Sequence, residues 1–204
     1  MATVYDGYVS KYINRKVSEP LAKLLAKTSL TPNQATWISF GVAFLSFVSF
    51  ILGHNVIAGL LAQLSSIVDG VDGGLARLKN MTSTFGGFLD SILDRYADIF
   101  IILGLTLWSF SHETYPGIWI AGFFAITGTI CISYSRARVG SDYQQFFDTG
   151  FKSLASRDIR LFLIMLGAII GQAYFCLVII AVLTNLVVFY RLAYMHSYLR
   201  KKDN

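Results

Sequence analysis

Long apolar runs separated by short polar connections dominate this chain, and they predict its helices. Six runs approach the roughly 20 apolar residues that a helix needs to cross a hydrocarbon core of about 30 Å. They lie at about 34–52, 56–78, 84–110, 117–138, 159–171 and 173–198. The fifth run is short for a span, so we expect it to begin earlier, in the polar run at 156–158. The pattern therefore predicts an all-α, integral membrane six-helix bundle.

The segment at 9–27 has a different pattern, because basic residues lie between its apolar ones. The apolar residues recur at helical spacing, which is typical of an amphipathic helix lying in the membrane interface; a solvated arm is the alternative. We expect Pro20 to kink or restart this helix. The Thr-Pro-Asn run at 31–33 predicts a cap and turn into the first span. The chain thus divides into a cytoplasmic juxtamembrane helix, 1–30, and a six-span domain, 31–204.

Basic residues predict the orientation of the bundle. With six spans, both termini share a side with the connections near Lys79 and at 139–157. All 17 lysines and arginines fall on that side or in the helix halves next to it. The connections at 53–55, 111–116 and 171–172 contain none. By the positive-inside rule, the sequence predicts a multi-pass protein of the cell membrane with both termini and its polar ends in the cytoplasm.

Composition agrees with a membrane protein. Only 14% of the residues are charged and the mean hydropathy is +0.56, whereas soluble domains are about 25% charged. The net charge of +5 follows from the orientation, and without interleaved aromatic and basic residues it does not indicate a nucleic-acid partner. Cys131 and Cys176 lie in apolar runs, where we expect small buried hydrophobic residues and no disulfide or metal site.

Four aspartates interrupt two neighbouring apolar runs. A charged residue deep in a bilayer costs at least about 2.5–3.5 kcal/mol, so Asp69, Asp72, Asp90 and Asp94 indicate a function. Asp69 and Asp72 are three residues apart and Asp90 and Asp94 four apart, which places each pair on one face of its helix. Two facing carboxylate pairs stay ionised together only around a positive charge. Arg95 points in another direction, and an all-oxygen ligand set favours Mg²⁺ or Mn²⁺.

Glycines and an arginine next to the aspartates indicate a phosphate ligand. Glycines at 70, 73 and 74 lie among the first pair, and glycines at 86 and 87 precede the second. Small residues allow helices to pack closely in membranes, but glycine also leaves room for a ligand to approach the backbone. Arg77 can bind a phosphate through two hydrogen bonds. Together these residues predict a diphosphate site.

The same residues resemble the signature of the CDP-alcohol phosphotransferase family at every fixed position. The matching residues are Asp69, Asp72, Gly73, Ala76, Arg77, Gly86, Asp90 and Asp94. The resemblance implies transfer of a phospho-alcohol unit from a CDP-alcohol to a second alcohol with release of CMP. It also implies a Mg²⁺ or Mn²⁺ cofactor, two ions in number, and a homodimer.

The resemblance further implies roles for individual residues. Asp69, Asp72, Asp90 and Asp94 would hold metal, and Asp94 would also act as general base. The residues implied for the cytidine diphosphate are Thr31, Pro32, Asn33, Gln34, Asp69, Gly73, Ala76, Arg77 and Ser83.

A second basic set bears on the acceptor alcohol. Arg136, Arg157, Arg160 and Arg191 lie near the polar ends of the last three runs, and a guanidinium cluster suits an acceptor that already carries a phosphate. Within the family, the chain resembles phosphatidylinositol phosphate synthases and archaeal di-myo-inositol phosphate phosphate synthases. This favours inositol 1-phosphate as acceptor, CDP-inositol or a CDP-lipid as donor, and a cytidylyltransferase domain or partner.

Two alternatives use the same residues. Glycerol 3-phosphate would bind the same arginines, as in a phosphatidylglycerophosphate-type synthase. Facing intramembrane aspartates can also form the path of a cation or proton transporter, although the chain has no inverted repeat.

Overall fold

All regular structure is helical in residues 9–139 and 155–202, which are the residues that the computed structural model describes. Within these residues, a π-helical turn, Ser10–Asn14, is followed by seven α-helices: α1 Arg15–Leu25, α2 Pro32–Ile51, α3 Asn55–Leu78, α4 Thr84–His112, α5 Ile118–Arg138, α6 Arg157–Ile170 and α7 Ala173–Lys202. The all-α prediction is confirmed, and the fifth predicted helix does begin early, at Arg157. The predicted connection at 139–157 lies largely outside the described residues.

Four of these helices, α2, α3, α5 and α7, are long and apolar enough to cross a membrane. The other two predicted spans do not share this property. The first half of α4 carries Asp90, Asp94, Arg95 and Asp98, which lowers its hydropathy, and α6 has only 14 residues. At about 1.5 Å per residue, α6 is shorter than a hydrocarbon core of about 30 Å.

The helices pack around a large apolar core, and Ile132, Ala155 and Val187 form a second, smaller cluster. α2 lies against α3 and α4, α5 lies against α7, and α6 lies along α3. The fully buried side chains of this core include Phe50, Ile101, Leu105, Ile164 and Leu177. Of the two cysteines, Cys176 is buried here as expected, but Cys131 is exposed because it lies on the outward face of α5.

The contact between α3 and α6 positions the polar end of α6. A Cβ atom at Gly59 would lie 2.7 Å from the Cβ of Ala168 and 3.1 Å from the Cα of Met165, so only glycine permits this approach. Asn55 adds a side-chain hydrogen bond of 2.9 Å to the carbonyl of Ala168. These contacts hold α6 along α3, with its first residue, Arg157, near the aspartates.

The π-helical turn and α1 lie against α3. Ser18 and Ala22 are buried opposite Gly70 and Gly74, where added Cβ atoms would lie 3.0 Å from them. α1 does not restart at Pro20, contrary to one expectation: it is continuous from residue 15 to residue 25. Pro20 has no backbone N–H and so removes one hydrogen bond from the helix. Packing of α1 against α3 compensates for this loss.

Side-chain caps fix the starts of α2 and α4. Thr31 and Gln34 form a reciprocal capping box at α2, as the Thr-Pro-Asn run predicts. Ser83 caps α4 by accepting a hydrogen bond from the N–H of Gly86. Lys79 joins the connection before α4 to the one before α2, since its Nζ donates to the carbonyls of Thr28 at 2.6 Å and Leu30 at 2.8 Å.

Candidate active site

Three carboxylates from two helices converge near the polar end of the bundle. Asp69 and Asp72 of α3 and Asp90 of α4 each offer one oxygen, and these oxygens lie within 4.8 Å of one another. Oxygens bound to one Mg²⁺ at about 2.1 Å are up to about 4.2 Å apart. Small side-chain rotations would therefore bring the three oxygens around one divalent ion, and the residues fit such a group.

Asp72 is held by neighbours on two helices. It is 8% exposed, and its Oδ2 accepts a hydrogen bond of 2.6 Å from the hydroxyl of Thr36 on α2. Its Oδ1 accepts from the backbone N–H of Gly73. Thr36 was not predicted, because nothing in the sequence distinguishes its hydroxyl from the other hydroxyls of these helices.

The positive charge between the aspartate pairs is Arg157. Its Nη1 lies 2.8 Å from Asp69 Oδ2 and 2.9 Å from Asp94 Oδ1, so one nitrogen bridges α3 and α4. Arg95 contacts Asp94 alone among the four aspartates, at 3.3 Å. The sequence placed Arg157 with the acceptor; the structure places it in contact with the carboxylates.

A fifth aspartate, Asp98, completes this network and was not predicted. It is 2% exposed, and its two oxygens contact Nε of Arg157 at 3.0 Å and Nη2 of Arg160 at 2.8 Å. Arg160 is equally buried and also donates to the carbonyl of Ala155 at 2.6 Å. The sequence signal was present, because Asp98 follows Asp94 by one helical turn.

Most of these groups line one cavity of about 950 Å³, whereas Thr36, Asp72 and Asp98 are not among its lining residues. Of the residues predicted for metal, donor and acceptor, those that line it are Asp69, Gly73, Arg77, Asp90, Asp94, Arg136, Arg157, Arg160 and Arg191. The π-helical turn and α1 form another part of its wall, with Ser10, Asn14, Arg15, Ser18 and Glu19. A space of this size and polarity suits a substrate larger than a single phosphate.

The remaining predicted donor residues lie outside that lining. Thr31, Pro32, Asn33 and Gln34 begin α2, Ser83 precedes α4, and Ala76 is on α3. Two of these groups come together, because a Cβ at Gly86 would lie 3.0 Å from the Ser83 hydroxyl and 3.1 Å from Asn33 Oδ1. The absence of a side chain at Gly86 thus keeps the starts of α2 and α4 close to each other.

Arg191 approaches the cavity from α7. It is 4% exposed, and its Nη1 donates to the carbonyl of Ile132 and the hydroxyl of Ser135 on α5, both at 2.8 Å. Three helices, α5, α6 and α7, therefore each bring an arginine to the cavity that the aspartates also line. Carboxylates and guanidinium groups around one cavity can hold a metal-bound diphosphate next to a second anion.

Comparison with known proteins agrees with this geometry. Residues 29–188 match the family model described as CDP-alcohol phosphatidyltransferase. The fold resembles the Mycobacterium tuberculosis phosphatidylinositol phosphate synthase solved with manganese and citrate, with a TM-score of 0.75 and 24% identity over 87% of this chain and 88% of that one. A structure of the same enzyme with CDP-DAG bound gives a TM-score of 0.72 at 23% identity, covering 87% of this chain and 92% of that one.

Two similar relatives are named for inositol-containing products. A bifunctional IPC transferase and DIPP synthase of Aquifex aeolicus is 34% identical over 90% of this chain, which spans only 42% of that relative's length. An archaetidylinositol phosphate synthase of Pyrococcus horikoshii is 31% identical over 84% of this chain and 88% of its own length. The matched segment includes the aspartates of α3 and α4 and the arginines of α5 and α6. The chain therefore belongs to the CDP-alcohol phosphatidyltransferase family of enzymes.

Proposed function

We propose that this chain transfers a phospho-alcohol group from a CDP-alcohol to the hydroxyl of an acceptor alcohol, releasing CMP, in a metal-dependent reaction. The observation that carries the proposal is the convergence of Asp69, Asp72 and Asp90 next to a cavity that arginines of three helices also line. Family membership supplies the reaction class. A transporter would leave both the arginine wall and the family match without a role.

Asp69, Asp72 and Asp90 would hold the metal, either Mg²⁺ or Mn²⁺, and Asp94 would contact a second ion. A bound divalent ion neutralises charge on diphosphate oxygens and improves the CMP leaving group. Thr36 keeps Asp72 oriented through its 2.6 Å hydrogen bond. Gly73 and Arg77 on the cavity wall would bind the diphosphate, and the starts of α2 and α4 (Thr31 to Gln34 and Ser83), with Ala76, would enclose the nucleotide.

Asp94 is the proposed general base. It lies on the cavity wall one turn along α4 from Asp90, and Arg157 fixes its Oδ1 at 2.9 Å. A carboxylate held in this way can take the proton from the acceptor hydroxyl as the oxygen attacks phosphorus in line. Because CMP is a good leaving group, positioning and electrostatics should provide most of the rate.

The acceptor is proposed to be inositol 1-phosphate, with CDP-inositol or a CDP-lipid as donor. The names of the Aquifex and Pyrococcus relatives support this choice. Arg136, Arg157 and Arg191 would bind the acceptor phosphate. The guanidinium of Arg160 donates to Asp98 and to the carbonyl of Ala155, so Arg160 would stabilise the position of Arg157 through Asp98. Glycerol 3-phosphate is the alternative acceptor for the same arginines.

The proposed setting is a lipid bilayer crossed by α2, α3, α5 and α7, with α4 and the shorter α6 packed among them as the other two of the six predicted spans, and with both termini and the cavity on the cytoplasmic side. Exposed Val17 and Leu24 on α1, next to basic residues, would lie in the interface. We also propose a homodimer. A cytidylyltransferase domain or partner would supply the donor, in keeping with relatives much longer than this chain.

A donor-by-acceptor matrix tests this function. The purified protein, in detergent with Mg²⁺, would be given CDP-inositol or CDP-diacylglycerol with inositol 1-phosphate or glycerol 3-phosphate, and CMP release would be followed. We expect release with inositol 1-phosphate, and a loss of about 10²-fold or more in the Asp94→Asn variant. No release with any pair would overturn the proposal, and undiminished release by the variant would remove Asp94 as base.

A further inference from the structure

Asp98 contacts two arginines, although one carboxylate neutralises the charge of only one. Asp98 uses one oxygen for Nε of Arg157 and the other for Nη2 of Arg160. The position is buried and lies one turn beyond Asp94, away from the metal-binding trio. Since Asp98 does not line the cavity, its effect on a substrate has to pass through a neighbour.

That neighbour is Arg157. Its guanidinium group is planar, so the directions of its three nitrogens are fixed relative to one another. A hydrogen bond of 3.0 Å at Nε fixes the plane of the guanidinium, and in this plane Nη1 reaches both Asp69 and Asp94. The contacts of Arg157 with described residues use Nε and Nη1. Nη2 is therefore the nitrogen that this arrangement leaves for a substrate oxygen.

Arg160 in turn fixes Asp98. It binds the second oxygen of Asp98 and also the carbonyl of Ala155, just before α6 begins. The carboxylate of Asp98 is thereby held at both oxygens, and rotation of its side chain would break one of two charge-assisted hydrogen bonds. A rigid carboxylate is what a positioning role for Arg157 requires.

We propose that Asp98 is a positioning residue, which orients the guanidinium of Arg157 so that one edge holds Asp94 and the other receives the phosphate of the acceptor. This inference rests on the proposed function, because it assigns the acceptor phosphate to Arg157. The two residues have different roles. Asp98 fixes the plane of the Arg157 guanidinium, and Arg157 contacts the acceptor phosphate. Without Asp98, Arg157 retains its charge but is drawn towards Asp69 and Asp94.

The test compares variants that do not leave Arg160 as an unpaired buried charge, because removal of one partner of a buried pair can prevent folding. Arg160→Gln and the double variant Asp98→Asn/Arg160→Gln differ only at Asp98. We expect the double variant to raise the KM for inositol 1-phosphate by about tenfold or more. The KM for the CDP-alcohol should stay within about twofold, because donor binding does not use this edge of Arg157.

A cycle with Arg157→Lys tests whether Asp98 acts through Arg157. Lysine keeps the charge but lacks Nε, so in the Arg160→Gln background, adding Asp98→Asn to Arg157→Lys should change kcat/KM by less than about threefold. Glu113→Gln, a carboxylate change beyond the far end of α4, is the matched control and should leave both KM values unchanged.

Two results would overturn the inference while leaving the proposed function intact. The first is equal acceptor KM in Arg160→Gln and the double variant. The second is the same loss from Asp98→Asn with arginine or lysine at position 157, both in the Arg160→Gln background, which would make the two residues independent. A wild-type chain that releases no CMP from any donor would instead overturn both the function and this inference.

Discussion

The carboxylate at the middle of α4 and the one directly after its last residue have different partners. At the middle, Asp98 faces two guanidinium groups at 2.8 and 3.0 Å. Directly after its last residue, Glu113 accepts hydrogen bonds from the hydroxyl of Ser109 and, at 2.9 Å, from the backbone N–H of Tyr174. The first set of partners is charged and belongs to a cavity wall, whereas the second is neutral and caps the start of α7.

The difference indicates which carboxylates act on a substrate and which stabilise the fold. A carboxylate at the first turn of a helix satisfies an N–H group and the helix dipole, which accounts for the contacts of Glu113 Oε2. Its Oε1 is buried and has no hydrogen-bond partner among the described residues. Fold stability gives no such account of Asp69, Asp72, Asp90 and Asp94, because four carboxylates brought together repel one another. The proposed cation and phosphorylated substrate would explain their grouping.

The largest effect is expected for Asp90→Asn, which removes one of the three converging carboxylates. Loss of a metal ligand should lower CMP release by roughly 10³-fold, equivalent to about 4 kcal/mol of transition-state stabilisation. The rate should be measured at saturating Mg²⁺, with Glu113→Gln as the control for removal of a carboxylate charge elsewhere. A loss below about tenfold would show that the trio does not bind the catalytic ion.

A moderate effect is expected for Thr36→Val, which removes the hydroxyl that donates to Asp72 but preserves side-chain shape. A hydrogen bond to a charged group contributes about 1.5–3 kcal/mol, so CMP release should fall by about tenfold or more, with a higher Mg²⁺ requirement. Thr127→Val is the matched control, because the Thr127 hydroxyl donates only to carbonyls of its own helix. If both variants lose the same activity, Thr36 does not act through Asp72.

The smallest effect on activity is expected for Glu113→Gln. It weakens a cap on α7 and should lower the free energy of unfolding by about 1 kcal/mol, measured as a decrease in Tm in detergent. CMP release at a temperature well below Tm should stay within about twofold. A tenfold loss of activity with unchanged Tm would contradict the claim that Glu113 stabilises the fold and does not act on the substrate.

Hydrophobic patterning predicted the helices closely, because their lengths are set by local periodicity. The run predicted at 56–78 corresponds to the helix Asn55–Leu78, and the run predicted at 117–138 corresponds to the helix Ile118–Arg138. Residue spacing also predicted that the aspartates of α3 and α4 would face each other, since two helices joined by a short connection are antiparallel neighbours.

Contacts between distant segments could not be read from the sequence. Arg157 is 59 residues beyond Asp98, and its place among the carboxylates depends on how α6 packs against Gly59 of α3. Asp98 is a different case, because its i+4 spacing from Asp94 was visible. Thr36 had no distinguishing signal, as many hydroxyl residues in these helices bond only to their own backbone.

Binding of Mn²⁺ to the purified protein, followed by electron paramagnetic resonance, tests the central claim most directly. The account predicts that the wild type and Glu113→Gln bind Mn²⁺ equally, while Asp90→Asn binds at least about 100-fold more weakly, a factor equivalent to about 2.7 kcal/mol. Equal Mn²⁺ binding by all three proteins would contradict the claim that Asp69, Asp72 and Asp90 form a divalent cation site.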